Sequence, residues 1–83
     1  MTPELAFASV LREVRGARGL SQEKLGFESG YHRTYISMLE RGMMNPSLRT
    51  ILQIGSALQM TGAEIVAKVE GILGSSRTDW KGS

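Results

Sequence analysis

The chain contains no cysteine. Neither a disulfide nor a thiolate metal site can staple it, so its stability must come from packing and helix caps, with a partner subunit as a further source open to so small a chain. A single histidine, no spaced metal ligands and no glycine-rich phosphate loop leave only carboxylates and hydroxyls for chemistry. That poverty argues against an enzyme and leaves no catalytic residue, metal or cofactor to assign. Long apolar runs are also missing: none approaches the roughly 18 to 20 residues of a membrane span. The stretch Ala6 to Val10 lacks the basic flank and the cleavage-like site of a secretory signal. The expectation is a cytoplasmic protein with no membrane association. A strong charge excess is absent too, since a net charge of +2 with a pI near 9.4 permits a polyanionic partner without demanding one.

What is present fits one small domain. At 83 residues the chain can build a single modest core. With 41% hydrophobic and 22% charged residues its composition is that of an ordinary globular protein. No small-molecule ligand is expected beside so small a core. The bases are unevenly placed: Arg12, Arg15, Arg18, Lys24, Arg33, Arg41 and Arg49 face five glutamates in residues 1–49, whereas three bases balance three acids in residues 50–83.

The hydrophobic pattern reads as helices throughout, with no strand signal. Phe7, Val10, Leu11 and Val14 follow the i, i+3, i+4, i+7 spacing and predict a first helix from about Glu4 to Arg18, stopped by Gly19. Ser21 is placed as the N-cap of a short second helix ending near Ser29-Gly30, with Leu20 and Leu25 as a hydrophobic staple. Tyr31 and Ile36 repeat the staple at the start of a third helix, about His32 to Arg41, stopped at Gly42. Asn45-Pro46-Ser47 is a turn and cap opening a fourth helix, with Leu48, Ile51, Leu52 and Leu58 as its apolar face and Gly55 as a local cost. Thr61 and Glu64 form a capping-box pattern, with Met60 and Ile65 as staple, before a fifth helix that runs to about Leu73. The polar, Gly/Ser-rich residues 74–83, apart from Trp80, read as a flexible tail beyond a domain of residues 1–73.

Residues 21–41 then read as two short helices joined by a tight glycine-containing turn, the minimal device for presenting a helix to the DNA major groove. Gly26 falls where the two helices must approach closely. Ile36 and Leu39, three apart, can face the core together, which leaves Arg33, Thr34, Ser37 and Met38 outward. On an isolated amphipathic helix such a set would be an ordinary solvated face. The surrounding pattern changes that reading.

Leu20-Ser-Gln-Glu-Lys-Leu25, then Ser29-Gly-Tyr-His-Arg-Thr-Tyr-Ile-Ser-Met-Leu-Glu-Arg-Gly42, then Asn45-Pro-Ser-Leu48 resemble the Xre/Cro-like, or lambda-repressor-like, family of helix-turn-helix regulators. The likeness covers about residues 7 to 70. Within the family, the run from His32 to Gly42 looks most like the small controller proteins of restriction-modification systems. The resemblance implies an all-α, five-helix DNA-binding fold with the helix-turn-helix at helices 2 and 3. It implies a regulator of transcription acting on double-stranded DNA, with a restriction-modification-type operon as its setting. It also implies a phosphate contact from Gln22, whose amide at a helix start suits that task.

Chemistry ranks the remaining candidates. Arg33 can fork onto guanine N7 and O6, the commonest specific major-groove contact. Thr34 and Ser37 can exchange hydrogen bonds with bases, and Tyr35, Arg41 and Asn45 are suited to clamp flanking phosphates. Met38 stands where many relatives carry a polar residue. Glu40, acidic in a basic place, is expected to pair with a nearby arginine inside the fold. On the fifth helix, Ile65, Val66, Val69, Ile72 and Leu73 span more circumference than one small core needs, so some of them are expected to meet a second subunit. A homodimer would present two reading helices to a pseudo-palindromic site. The alternative is an antitoxin that holds a toxin protein while repressing its own operon.

Overall fold

The computed structural model describes residues 1–74. Five helices follow one another: α1 (Pro3–Ala17), α2 (Gln22–Ser29), α3 (Arg33–Glu40), α4 (Leu48–Ala57) and α5 (Gly62–Leu73). No strand occurs among the described residues, and the all-α expectation holds. Beyond Gly74, the expected tail and its Trp80 lie outside the described residues.

Each helix starts on a side chain that closes its first turn. Thr2 Oγ1 accepts the Leu5 N–H at 3.2 Å, Ser21 Oγ that of Lys24 at 3.0 Å, and Ser47 Oγ that of Thr50 at 3.0 Å. Thr61 and Glu64 complete a reciprocal capping box: the Thr61 N–H donates to Glu64 Oε1 at 2.8 Å and the Glu64 N–H to Thr61 Oγ1 at 3.0 Å. His32 fills the cap of α3, its Nδ1 accepting the Thr34 N–H at 3.0 Å. An accepting Nδ1 places the neutral ring's proton on Nε2. The expected stops at Gly19 and Gly42 are in place, with φ of +68° and +71°.

One core joins all five helices. Phe7, Val10, Leu11 and Val14 of α1 meet Leu25, Ile36, Leu39, Ile54, Leu58 and Ile65. Each large apolar side chain buried there contributes about 1.5 to 3 kcal/mol relative to exposure. The three staple partners Leu20, Tyr31 and Met60 pack against this cluster at its rim. Helix α1 is the central support, lying against α3 and α5, while α2 lies against α3 and α4.

Two apolar faces differ from their sequence reading. In α4 the inward positions are Thr50, Ile54, Gly55 and Leu58, with Ile51 half-buried, whereas Leu48 is 72% and Leu52 51% exposed. The shift has a polar cause: the buried Thr50 hydroxyl is within hydrogen-bonding reach of Ser47 Oγ at 2.9 Å, Tyr31 Oη at 3.1 Å and Tyr35 Oη at 3.2 Å. A satisfied hydroxyl can take a core position that hydropathy alone assigns to leucine. In α5, Ile65 at 2% and Leu73 at 8% exposure belong to this chain's own core. They have no surface left for a second subunit. Val69 is half-buried against the core, and Val66 and Ile72 remain open.

Gly55 turns out to be a packing requirement. A Cβ there would stand 2.8 Å from the Met60 carbonyl oxygen and 3.0 Å from Ile65 Cδ1, so only glycine lets α4 and the start of α5 meet this closely. No helix among the described residues is long and apolar enough to cross a membrane.

Candidate nucleic-acid interface

The α2–turn–α3 unit is built on Gly26. A Cβ at this buried position would lie 2.5 Å from the Tyr31 carbonyl oxygen and 3.2 Å from the Arg33 nitrogen. Its absence lets the turn fold over α2, where the Tyr31 N–H donates to the Gly26 carbonyl at 2.8 Å. Ser29, buried beside it, returns its hydroxyl hydrogen to the Leu25 carbonyl at 2.7 Å. The chain then leaves Gly30 with its direction fixed and enters α3.

Helix α3 is anchored by Ile36 and Leu39, both fully buried, as the three-residue spacing requires. The opposite side is open. Arg33 and Thr34 are exposed on the first turn, and Tyr35, Ser37 and Met38 are half-buried. Arg33 is held only loosely, its Nη1 lying 3.9 Å from Glu23 Oε2 of α2. Arg41 is exposed at the C-cap of α3, and Asn45 is exposed in the following loop. Asn45 also lines a groove of about 110 Å³ with Pro3, Phe7, Pro46, Ile51, Val66 and Val69. The residues expected to read bases, Arg33, Thr34 and Ser37, thus share one element with Arg41 at its end, while Asn45 sits beyond them near the α5 surface.

Tyr35 and Gln22 have internal partners. The Tyr35 hydroxyl is 3.2 Å from Thr50, and its ring lies 5.0 Å from that of Tyr31. The Gln22 amide nitrogen donates to Glu40 Oε1 at 3.0 Å. Glu40, only 3% exposed, pairs with an arginine as expected: Arg15 Nε donates to Oε2 at 2.5 Å and Nη2 to Oε1 at 3.0 Å. Arg12 adds a guanidinium hydrogen bond to the Glu40 backbone carbonyl, satisfying a helix-end acceptor. Arg15 also donates to the Leu20 carbonyl at 2.8 Å. The hydrogen bond to Glu40, aided by its charge and opposed by burial, raises the Arg15 pKa further above its ordinary value. Its charge is therefore present at any working pH. Among the described residues no buried side-chain polar atom lacks a partner.

Sequence reasoning missed Thr50 and the Gln22–Glu40 link. A threonine inside a helix leaves no periodic trace, and polar partners separated by two helices announce themselves only when the chain is folded.

Residues 11–65 match the HTH_3 family, described as helix-turn-helix. The chain belongs to that family. It is a DNA-binding helix-turn-helix protein of the class that regulates transcription. Over 55 residues it is 49% identical to the control protein C.BamHI of Bacillus amyloliquefaciens, covering 65% of this chain and 68% of that one. It is 36% identical over 61 residues to the control protein C.SmaI of Serratia marcescens, covering 74% and 73%. Among solved structures it is similar to the restriction-modification controller protein C.AhdI from Aeromonas hydrophila, with a TM-score of 0.73, 45% identity and coverage of 75% and 94%. These likenesses establish the family and the all-α, five-helix fold on which the open first turn of α3 is displayed.

Proposed function

We propose that this HTH_3 protein is the controller of a restriction-modification-type operon, binding as a homodimer to a pseudo-palindromic operator near its own gene. The observation that carries the reading is the exposed first turn of α3, where Arg33 and Thr34 project from a helix whose other side is locked by Ile36 and Leu39. The named control proteins from Bacillus amyloliquefaciens and Serratia marcescens give the regulatory setting.

In this reading Arg33, Thr34 and Ser37 read base edges, while Gln22, Tyr35, Arg41 and Asn45 hold phosphates. Residues 1–73 form the DNA-binding and dimerisation domain, and 74–83 the tail. The second copy docks on the apolar surface left open by α4 and α5: Leu48, Leu52, Val66 and Ile72, with Val69 at its edge. A two-fold pairing there sets the two reading helices about 34 to 36 Å apart, one turn of DNA.

Footprinting on DNA immediately upstream of the gene, at stated salt, tests the proposal. Protection of two half-sites separated by one helical turn is the expected result. Absence of protection there, with binding no tighter than to scrambled DNA, would reject an autoregulatory controller.

A further inference from the structure

Gln22 sits half-buried at the first turn of α2, and its side chain is not free to choose its orientation. An ionised carboxylate only accepts hydrogen bonds, so the contact with Glu40 Oε1 at 3.0 Å fixes the Gln22 amide with its nitrogen inward. Turned the other way, the amide oxygen would face the carboxylate. One of the two amide hydrogens is thereby spent on Glu40, and the other remains for an acceptor outside the protein. Arg15 holds the carboxylate through both its oxygens and offsets its charge. An anion approaching Gln22 therefore meets a directed N–H without facing an unneutralised carboxylate behind it.

We propose that Glu40, held by Arg15, is a positioning residue for DNA binding: buried and out of reach of the duplex, it orients the Gln22 amide so that a donor is presented to a phosphate. This rests on the reading of Gln22 as a phosphate ligand. Glu40 joins the first turn of α2 to the last residue of α3, so the backbone contact and the reading helix share one support.

The probe is a duplex selected by this chain from a random-sequence library, with single phosphates replaced in turn by uncharged methylphosphonate. Wild-type protein is expected to lose affinity about tenfold at one phosphate in each half-site, the scale of one hydrogen bond to a charged group. Gln22→Ala should be indifferent to replacement there. Glu40→Gln, which leaves one acceptor oxygen for Arg15 and Gln22 together, should match Gln22→Ala at that phosphate and wild type at all others. Wild-type sensitivity in Glu40→Gln would overturn the proposal. Wild-type sensitivity in Gln22→Ala would overturn the Gln22 assignment, and the role of Glu40 with it.

Should Glu40→Gln fail to fold, the wild-type protein still decides. In its nitrogen-proton spectrum, one Gln22 side-chain amide proton should lie away from the ordinary glutamine position and stay there when duplex is added, while its partner proton shifts. Both protons at ordinary glutamine positions in the free protein would overturn the proposal.

Discussion

Arg33 stands 64% exposed, with the Glu23 carboxylate as its ion-pair partner at 3.9 Å. A pair so loose and wet contributes roughly 0 to 1 kcal/mol, so the guanine contact proposed for Arg33 would sacrifice little by breaking it. Arg33→Ala is expected to lower specific affinity by about 1 to 3 kcal/mol and to relax preference at one base pair, whereas Gln22→Ala weakens all sequences alike. Titrations on selected and scrambled duplexes at one salt concentration check this, and equal losses for both variants on both duplexes would reject the division of labour. Gln59 supplies a stability prediction. It holds φ of +58° just after α4, a left-handed conformation costing a side chain about 1 to 2 kcal/mol. Gln59→Gly should stabilise the fold by about 1 kcal/mol in thermal unfolding, less whatever its exposed 2.7 Å hydrogen bond from Arg18 contributes. The outward place of Arg33 was legible because the neighbouring Ile36 and Leu39 declare their side by spacing. The conformation of Gln59 was not, because no glycine or asparagine marks that turn.

At the level of the helices, α2 and α3 form a unit only because Gly26 admits the turn. Gly26→Ala forces a Cβ into the space held by the Tyr31 carbonyl and is expected to cost about 2 to 3 kcal/mol, read as a lowered urea midpoint with an unchanged slope. An unchanged midpoint would show that the turn can retreat. Starts of helices were the most readable feature of the chain, since Ser21, Ser47 and the Thr61/Glu64 pair announce themselves in local chemistry that the fold retains. Helix faces were less readable. The inward stripe of α4 runs through Thr50 and Ile54, and of the three hydroxyls that make Thr50 acceptable in the core, those of Tyr31 and Tyr35 come from distant residues while that of Ser47 is the helix's own cap. Leu48 and Leu52, which hydropathy places inside, are left outside.

For the whole molecule, those two leucines with Val66 and Ile72 are the surface proposed for a second copy. Leu52→Lys combined with Val66→Lys should give a monomer in sedimentation and weaken operator binding, while the chain still folds because both side chains are open to solvent in the single subunit. The concentration dependence of thermal unfolding expected of a dimer should be lost with it. A dimer that survives both changes would move the interface elsewhere. Five helices and their order were visible from periodicity and caps. Which apolar residues of α5 belong to the inside was not, because burial of Ile65 depends on how α1 and α4 close around it. The carboxylate of Glu40 has a final consequence, for the timing of assembly. Its partners come from α1 and α2 while it rides on α3, so its charge has no full set of partners until all three helices have met. A chain in which α1, α2 and α3 have not all met, as in one partly opened by heat, lacks this support for α3 as well as part of its core. Under the proposed function, a gene controlled by this chain would respond only to folded molecules, and the concentration that matters for control would be that of folded protein, a fraction of all the chains synthesised.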